Sequence, residues 1–165
     1  MILSKLFNLW RKIRYKFYLE LLDKSAKTLL DIGCSDGKFV ELAKRKGYHA
    51  TGIDIEDRIE KTKKTADIVT CFQVLEHVYD PVKAIKNLNR LYKKQLIISI
   101  PNEPFFSLYR LGWEKEHLWI VTPKILKYYL GKPKYGKRII FQRYYVSVWT
   151  RNKNPDKKCK RKLKI

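Results

Sequence analysis

The sequence predicts an α/β domain built on a largely parallel sheet with helices on both faces, and three observations carry that prediction. Short apolar runs alternate with amphipathic stretches along most of the 165 residues. The runs themselves are nearly continuous in apolar character, as strands buried on both faces require, rather than alternating as half-exposed strands do. Several of the amphipathic stretches open on capping pairs such as Asp80-Pro81 and Thr122-Pro123, where an acid or hydroxyl caps the helix and proline takes its first position.

In chain order, residues 2–22 (ILSKLFNLWRKIRYKFYLELL) place Leu3, Leu6, Trp10, Ile13, Phe17 and Leu21 three or four apart, which predicts an amphipathic helix. Its opposite face carries Lys5, Arg11, Lys12 and Lys16. Such a helix either caps the domain's own core or lies on an anionic lipid surface, with Trp, Phe and Leu facing inward and Lys and Arg outward. Residues 27–33 (KTLLDIG) read as a buried strand. A helix begins near Asp36, draws its apolar side from Phe39, Val40, Leu42 and Ala43, and meets Gly47 where a C-terminal glycine belongs. Residues 48–55 (YHATGIDI) form a second strand ending in an acid, 56–66 are short and polar, and 67–72 (DIVTCF) form a third strand. Val82, Ile85, Leu88 and Leu91 continue the helix opened at Asp80-Pro81. Residues 95–100 (QLIISI) make a fourth strand stopped by Pro101. Thr122-Pro123 opens a helix that Gly131 closes, and 138–150, rich in β-branched and aromatic residues, suit one or two further strands. The organisation is an N-terminal helix at 1–24, a single α/β domain at 25–150 and a basic, frayed tail at 151–165.

Composition narrows the function classes. A hydrophobic fraction of 45% and an aromatic fraction of 13% exclude a disordered chain. Cysteine occurs three times, at Cys34, Cys71 and Cys159, with no C-x-x-C pair. This argues against a disulfide framework or a cysteine-rich zinc site and fits a reducing cytoplasm. The histidines are too scattered for a metal centre. No apolar run has the length of a membrane span, and the N-terminal stretch lacks the pattern of a secretory signal. Lysine and arginine number 37 against 16 acids, a formal net charge of +21. That excess points to an anionic partner: nucleic acid, a lipid surface or a phosphorylated ligand.

The stretch at 29–39 (LLDIGCSDGKF) carries the chemistry. Two of the chain's seven glycines fall four residues apart, immediately after a strand and before a helix. At the carboxyl end of a parallel strand, glycine lets backbone approach a ligand or take a positive φ. Gly33 and Gly37 therefore line the floor of a cofactor site. The next strand ends in Asp54, about twenty residues on, where a carboxylate accepts hydrogen bonds from ribose hydroxyls. Acids at Asp31 and Asp36 would repel a pyrophosphate and suit a ligand bearing an ammonium or sulfonium.

Asp31-Ile32-Gly33-Cys34-Ser35-Asp36-Gly37 resembles motif I of the class I S-adenosylmethionine-dependent methyltransferases, D-x-G-x-G-x-G, with Ser35 in place of the middle glycine. The run at 67–102 is similar to the second half of the same fold: a strand, a Leu-Glu-His turn, an Asp-Pro helix start and a strand ending in Pro-Asn follow in the family's order. The segment at 116–130 is like the one that closes over the substrate side. The resemblance covers roughly 25–150. It implies a Rossmann-like sheet and S-adenosylmethionine as cofactor; because only twelve residues separate Asp54 from Asp67, where the family has a further strand and helix, the sheet is abbreviated from the usual seven strands or 56–66 makes a minimal crossover. It further implies that Asp31, Gly33, Cys34, Ser35 and Gly37 surround the methionine part of the cofactor, that Asp54 holds the ribose, and that Gln73 lies near the methionine end. Glu76 and His77 face the reacting side. Asp57 is the acid nearest to where the family contacts adenine.

Methyl transfer from a sulfonium asks the protein mainly for alignment, and an oxygen nucleophile must also lose a proton. His77 is the candidate base because an imidazole titrates near neutrality, with Glu76 orienting the loop or His77 itself. His117 is the second choice, and His49 stands at the wrong end of its strand. Residues 103–121 supply most of the substrate wall. The acceptor is expected to be small or lipid-linked. Charge is segregated: 123–165 holds fifteen basic residues and one acid, Asp156, with aromatics interleaved, and this makes an RNA acceptor the alternative. Most of those aromatics read as core. A third reading is a non-catalytic binding protein on the same fold, with peripheral membrane contact through the N-terminal helix.

Overall fold

A computed structural model of the chain describes residues 2–54, 59–102, 118–139 and 144–151. Six strands form one sheet: β1 (Thr28–Ile32), β2 (His49–Ile53), β3 (Ala66–Phe72), β4 (Tyr92–Pro101), β5 (Tyr135–Ile139) and β6 (Tyr144–Thr150), in the order β2-β1-β3-β4-β6-β5. β2, β1, β3 and β4 run parallel, whereas β6 pairs antiparallel with both β4 and β5. Helices α1 (Ile2–Glu20), α2 (Lys38–Arg45), α3 (Pro81–Leu91) and α4 (Pro123–Leu130) cover the two faces.

Alternation along the strands sorts the core into two layers. Leu29, Ile68, Ile97, Val146 and Val148 point to one face and pack with Tyr18 and Leu22 of α1 and its extension and with Phe39, Val40 and Ala43 of α2. Leu30, Ile32, Val69, Cys71, Leu96, Ile98 and Trp149 point to the other and pack with Ala84, Ile85 and Leu88 of α3 and Leu126 of α4. Both faces of the central strands are buried, so their sequences read as unbroken apolar runs.

Local chemistry sets the helix starts. The Asp80 side chain accepts the Lys83 backbone N–H at 2.9 Å, and Thr122 accepts that of Ile125 at 3.3 Å, each with proline at the first helical positions. Of the short connection from β2 to β3, the described residues form one 3₁₀ turn at Ile59–Lys61, and β2 is the sheet edge among the described residues. Buried Asn87 of α3 donates from Nδ2 to the carbonyls of Ile59 and Thr62, at 2.7 and 3.0 Å, and so ties that crossover to the domain.

Two expectations need revision. The face of α1 that meets the sheet carries Tyr18, with Tyr15 and Arg14 beside it; of the expected apolar stripe, Phe17 and Leu21 pack at the margin of the core while Ile13 stays 45% exposed. The reason is polar: the Tyr18 hydroxyl lies 2.7 Å from the buried Ser99 Oγ on β4, and its ring stacks on Phe72 at 4.0 Å, contacts that hydrophobic spacing cannot register. The last strands also begin earlier than 138, because β5 opens at Tyr135 and pairs with β6 from there.

Candidate functional site

A cavity of about 410 Å³ opens at the carboxyl ends of β1, β2 and β3, beneath α1. This is the position at which a parallel α/β sheet takes its ligand. Each wall traces to a strand end. At the end of β1 the chain turns through Gly33, whose N–H donates to the Ile53 carbonyl at 2.7 Å and so joins the turn to the end of β2. Gly33 has φ +77, and a Cβ there would stand 2.2 Å from Val74 Cγ2, so both the backbone conformation and the packing require glycine. Ser35, in place of the motif's middle glycine, adopts φ +44; Gln73, following β3, adopts φ +57. Both line the cavity, and they are the two non-glycine residues with positive φ among the described residues. Such strain gathers at ligand sites because the surrounding structure must hold it in place.

Asp31 points into the cavity and is only 4% exposed. Burial pushes its carboxyl up to about 7, against the opposing effect of the Thr70 hydroxyl, which donates to Oδ1 at 2.6 Å. An acid poised in this way becomes a full carboxylate once a cation lies beside it. Asp54, at the exposed end of β2, also lines the cavity, as do Cys34 and His77. Gln73 is held by its own side chain: Nε2 donates to Ser99 Oγ at 2.8 Å, the same oxygen that meets the Tyr18 hydroxyl.

Sequence reasoning missed the cavity's cation, along with the aromatic and apolar side chains Tyr15, Tyr18, Phe39, Phe72 and Val74 that line it. Arg14 of α1 reaches into the site, its guanidinium 4.6 Å from the centre of the Tyr144 ring, and its Nε is buried without a hydrogen-bond partner. A cation on an amphipathic helix reads as solvent-facing, and the available hint was its neighbour Tyr15 and the turn-distant Tyr18, both of which also line the cavity. The site therefore offers one buried carboxylate, one cation and one carboxylate at its mouth.

Other predicted site residues sit elsewhere. Asp36 does not face the cavity; it is paired outward with Lys38 Nζ at 2.6 Å and Arg11 Nη1 at 2.9 Å, and the Lys38 contact holds its carboxyl below the usual range. The Arg11 pair fastens the turn to α1. Gly37 is the N-cap of α2 at φ +69, one step behind the cavity wall. Glu76 is 1% exposed and does not line the cavity. Its charge reinforces the burial that drives the Cys71 thiol upward, and its backbone carbonyl accepts the N–H groups of Leu118 and Trp119 at 2.8 and 3.3 Å. His49 opens β2 at the end remote from the cavity. Asp57, His117, most of the 103–121 wall and the tail from 152 lie outside the described residues, as does Cys159. Of the interleaved aromatics, Trp149 is buried, and Tyr129 and Tyr145 pack against the core. No group of side chains suited to a metal ion occurs among the described residues, and no helix there is long and apolar enough to cross a membrane.

A family profile described as a methyltransferase domain matches residues 2–139, most of the chain. The chain belongs to the methyltransferase domain family. Within it, the chain is 28% identical over 144 residues to the ubiquinone biosynthesis O-methyltransferase of Coxiella burnetii, covering 71% of this chain and 62% of that protein. The namesake enzyme of Hydrogenovibrio crunogenus is 28% identical over 141 residues, covering 61% and 58%. The methyltransferase-family chain thus spans about three-fifths of the length of these curated relatives. Its fold matches that of magnesium protoporphyrin IX methyltransferase from Synechocystis, solved with bound S-adenosylhomocysteine, with a TM-score of 0.75, 14% identity and coverage of 92% and 88%. It also matches a SAM-dependent methyltransferase from Archaeoglobus fulgidus, with a TM-score of 0.64, 20% identity and coverage of 86% and 93%. The Rossmann-like class and the S-adenosylmethionine family expected from motif I both hold for this chain.

Proposed function

We propose that the cavity binds S-adenosylmethionine and directs its methyl group to an oxygen atom of a small or lipid-linked acceptor. The observation that carries this reading is the pairing of a buried carboxylate, Asp31, with the half-buried cation Arg14 in one cavity whose mouth bears Asp54. An amino acid's ammonium and carboxylate need opposite charges close together, and a ribose needs an acceptor at the edge. The relatives' name, an O-methyltransferase of ubiquinone biosynthesis, supports oxygen as the acceptor atom and a lipid-linked ring as its carrier.

When bound, the cofactor supplies a methyl on a sulfonium, already activated for displacement. The chain's own residues have the rest of the work. Asp31 neutralises the ammonium and Arg14 the carboxylate. Asp54 accepts from the ribose hydroxyls, and the Gly33–Ser35 turn brings backbone against the methionine part. Gln73, braced through Ser99, fixes the wall beside it. His77 takes the acceptor's proton, and Glu76, outside the cavity, anchors the loop that carries His77.

Calorimetric titration with S-adenosylhomocysteine tests the reading. Asp54→Ala weakens binding at least about tenfold, the loss of a charge-assisted hydrogen bond. Folded protein that gives no binding signal refutes the proposal. His77→Asn retains cofactor binding and loses turnover on a phenolic acceptor; turnover unchanged in that variant removes His77 as base. The RNA alternative has weaker support. The basic residues Lys132 and Lys134 border a separate hollow beside Tyr92 and Thr150, at the end of the sheet away from the cavity.

A further inference from the structure

Seven large hydrophobic side chains stand exposed among the described residues, and six of them lie on segments adjoining cavity-lining stretches: α1 with Arg14 and Tyr15, the turn with His77, and the residues hydrogen-bonded to Glu76. Leu9 and Ile13 lie on the turns of α1 that also carry Arg11 and Arg14, the first bound to the cofactor turn through Asp36 and the second in the cavity. Tyr79 is two residues beyond His77. Leu118, Trp119 and Ile120 are fastened there by the hydrogen bonds from Leu118 and Trp119 to the Glu76 carbonyl. Soluble chains scatter such residues singly, and grouping at one end marks a contact surface.

The charge around them says what kind of surface. With 3.6 residues per turn, Leu9, Lys12, Ile13 and Lys16 share one arc of about 100° on the side of α1 turned away from Tyr18. Both lysines are exposed. Lys124 opens α4 close by Leu118–Ile120 in sequence, and Lys137 and Arg138 are exposed toward the end of β5 that pairs with the start of β6, level with Pro101 at the carboxyl end of β4. Of the described acids at this end, Asp36 is paired with Arg11 and Lys38 and Asp80 with Lys83, and Asp54 stands at the cavity mouth itself. Apolar side chains flanked by lysine, on a chain with a formal net charge of +21, complement an interface of acyl chains beneath anionic headgroups. A second protein surface would need shape and satisfied polar groups. A bilayer needs only this depth of apolar side chains and this sign of charge.

We infer that the mouth of the cavity docks on an anionic membrane, with Leu9 and Ile13 on one side and Tyr79 and Leu118–Ile120 on the other entering the interface, so that an acceptor carried in the lipid reaches the site without crossing water. This rests on the proposed methyl transfer for the acceptor's entry, but the docking itself does not.

Co-sedimentation of the full chain with vesicles tests it. Binding is expected to vesicles containing phosphatidylglycerol, weak binding to pure phosphatidylcholine, and loss of binding as salt rises. The Leu9→Ser/Ile13→Ser double variant and, separately, Trp119→Ser each reduce partitioning about tenfold or more. These side chains are exposed, so circular dichroism and the S-adenosylhomocysteine titration remain as in the wild type. No binding to phosphatidylglycerol vesicles overturns the inference, as does binding that both variants leave unchanged. A wild type that instead dimerises through these residues, or retains RNA on a filter but no lipid, overturns it too. Vesicle docking without cofactor binding would sink the methyl-transfer reading and leave the docking standing; cofactor binding without docking does the reverse.

Discussion

Replacing Asp31 by asparagine tests the electrostatics of the site. The carboxyl lies at about 7 in the folded chain, raised by burial from its ordinary 3.8. The folded state therefore holds this proton more tightly than the unfolded chain does. Stability from this group is fully present below about pH 4 and is lost as pH rises to about 7, at roughly 1.4 kcal/mol per pH unit. The whole window amounts to on the order of 4 kcal/mol, carried as the burden of an ionised, buried acid at higher pH. The amide of the Asp31→Asn variant has no proton to lose, so its denaturant unfolding from pH 5 to 8 should lack this descent, and the difference between the two stability curves isolates Asp31. The same poise couples the proton to the cofactor. Pairing with an ammonium fixes the carboxylate, so binding near pH 7 should release about half a proton, and almost none at about pH 8.5. Calorimetry in buffers of different ionisation enthalpy reads that number directly. Parallel stability curves for the two proteins, or a binding heat independent of buffer at pH 7, would refute the account of Asp31.

Further substitutions separate the other parts of the site. Arg14→Ala should weaken S-adenosylhomocysteine about ten- to a hundredfold in a binding titration with little change in melting temperature, because its guanidinium has a ring and a ligand to serve rather than an ion pair in the core. Gly33→Ala combines a left-handed backbone with a Cβ 2.2 Å from Val74, so chemical denaturation should show a loss of about 2 kcal/mol or more. Tyr18→Phe keeps the stacking on Phe72 and removes the hydroxyl at Ser99, which predicts a loss of about 1 kcal/mol by the same measurement.

What could be read in advance was what local chemistry decides. Asp80-Pro81 and Thr122-Pro123 announce helix starts because a cap is made within three residues, and the apolar run into Gly33 announces a strand and a turn that lines the cavity because both requirements fall on adjacent positions. Asp54 follows from strand spacing alone. What escaped depends on partners far along the chain. Asp36 is turned outward by Lys38, two positions on, together with Arg11, twenty-five positions earlier. Arg14 enters the cavity because α1 rotates to deliver Tyr18 to Ser99. Glu76 and His77 are neighbours in sequence, yet only His77 reaches the cavity, a division made by how the turn packs and not by residue type.

The clasp of α1 also constrains the order of assembly. Tyr18 meets Ser99, 81 positions on, and the backbone around Leu21 and Asp23 meets the Gln95 side chain. On the ribosome this helix emerges with its inner face bare and must wait for β4 to be made, a delay of roughly 4 to 16 seconds at ordinary rates of synthesis. The roof of the cavity is made before the strand that seats it, and is among the last parts that can settle.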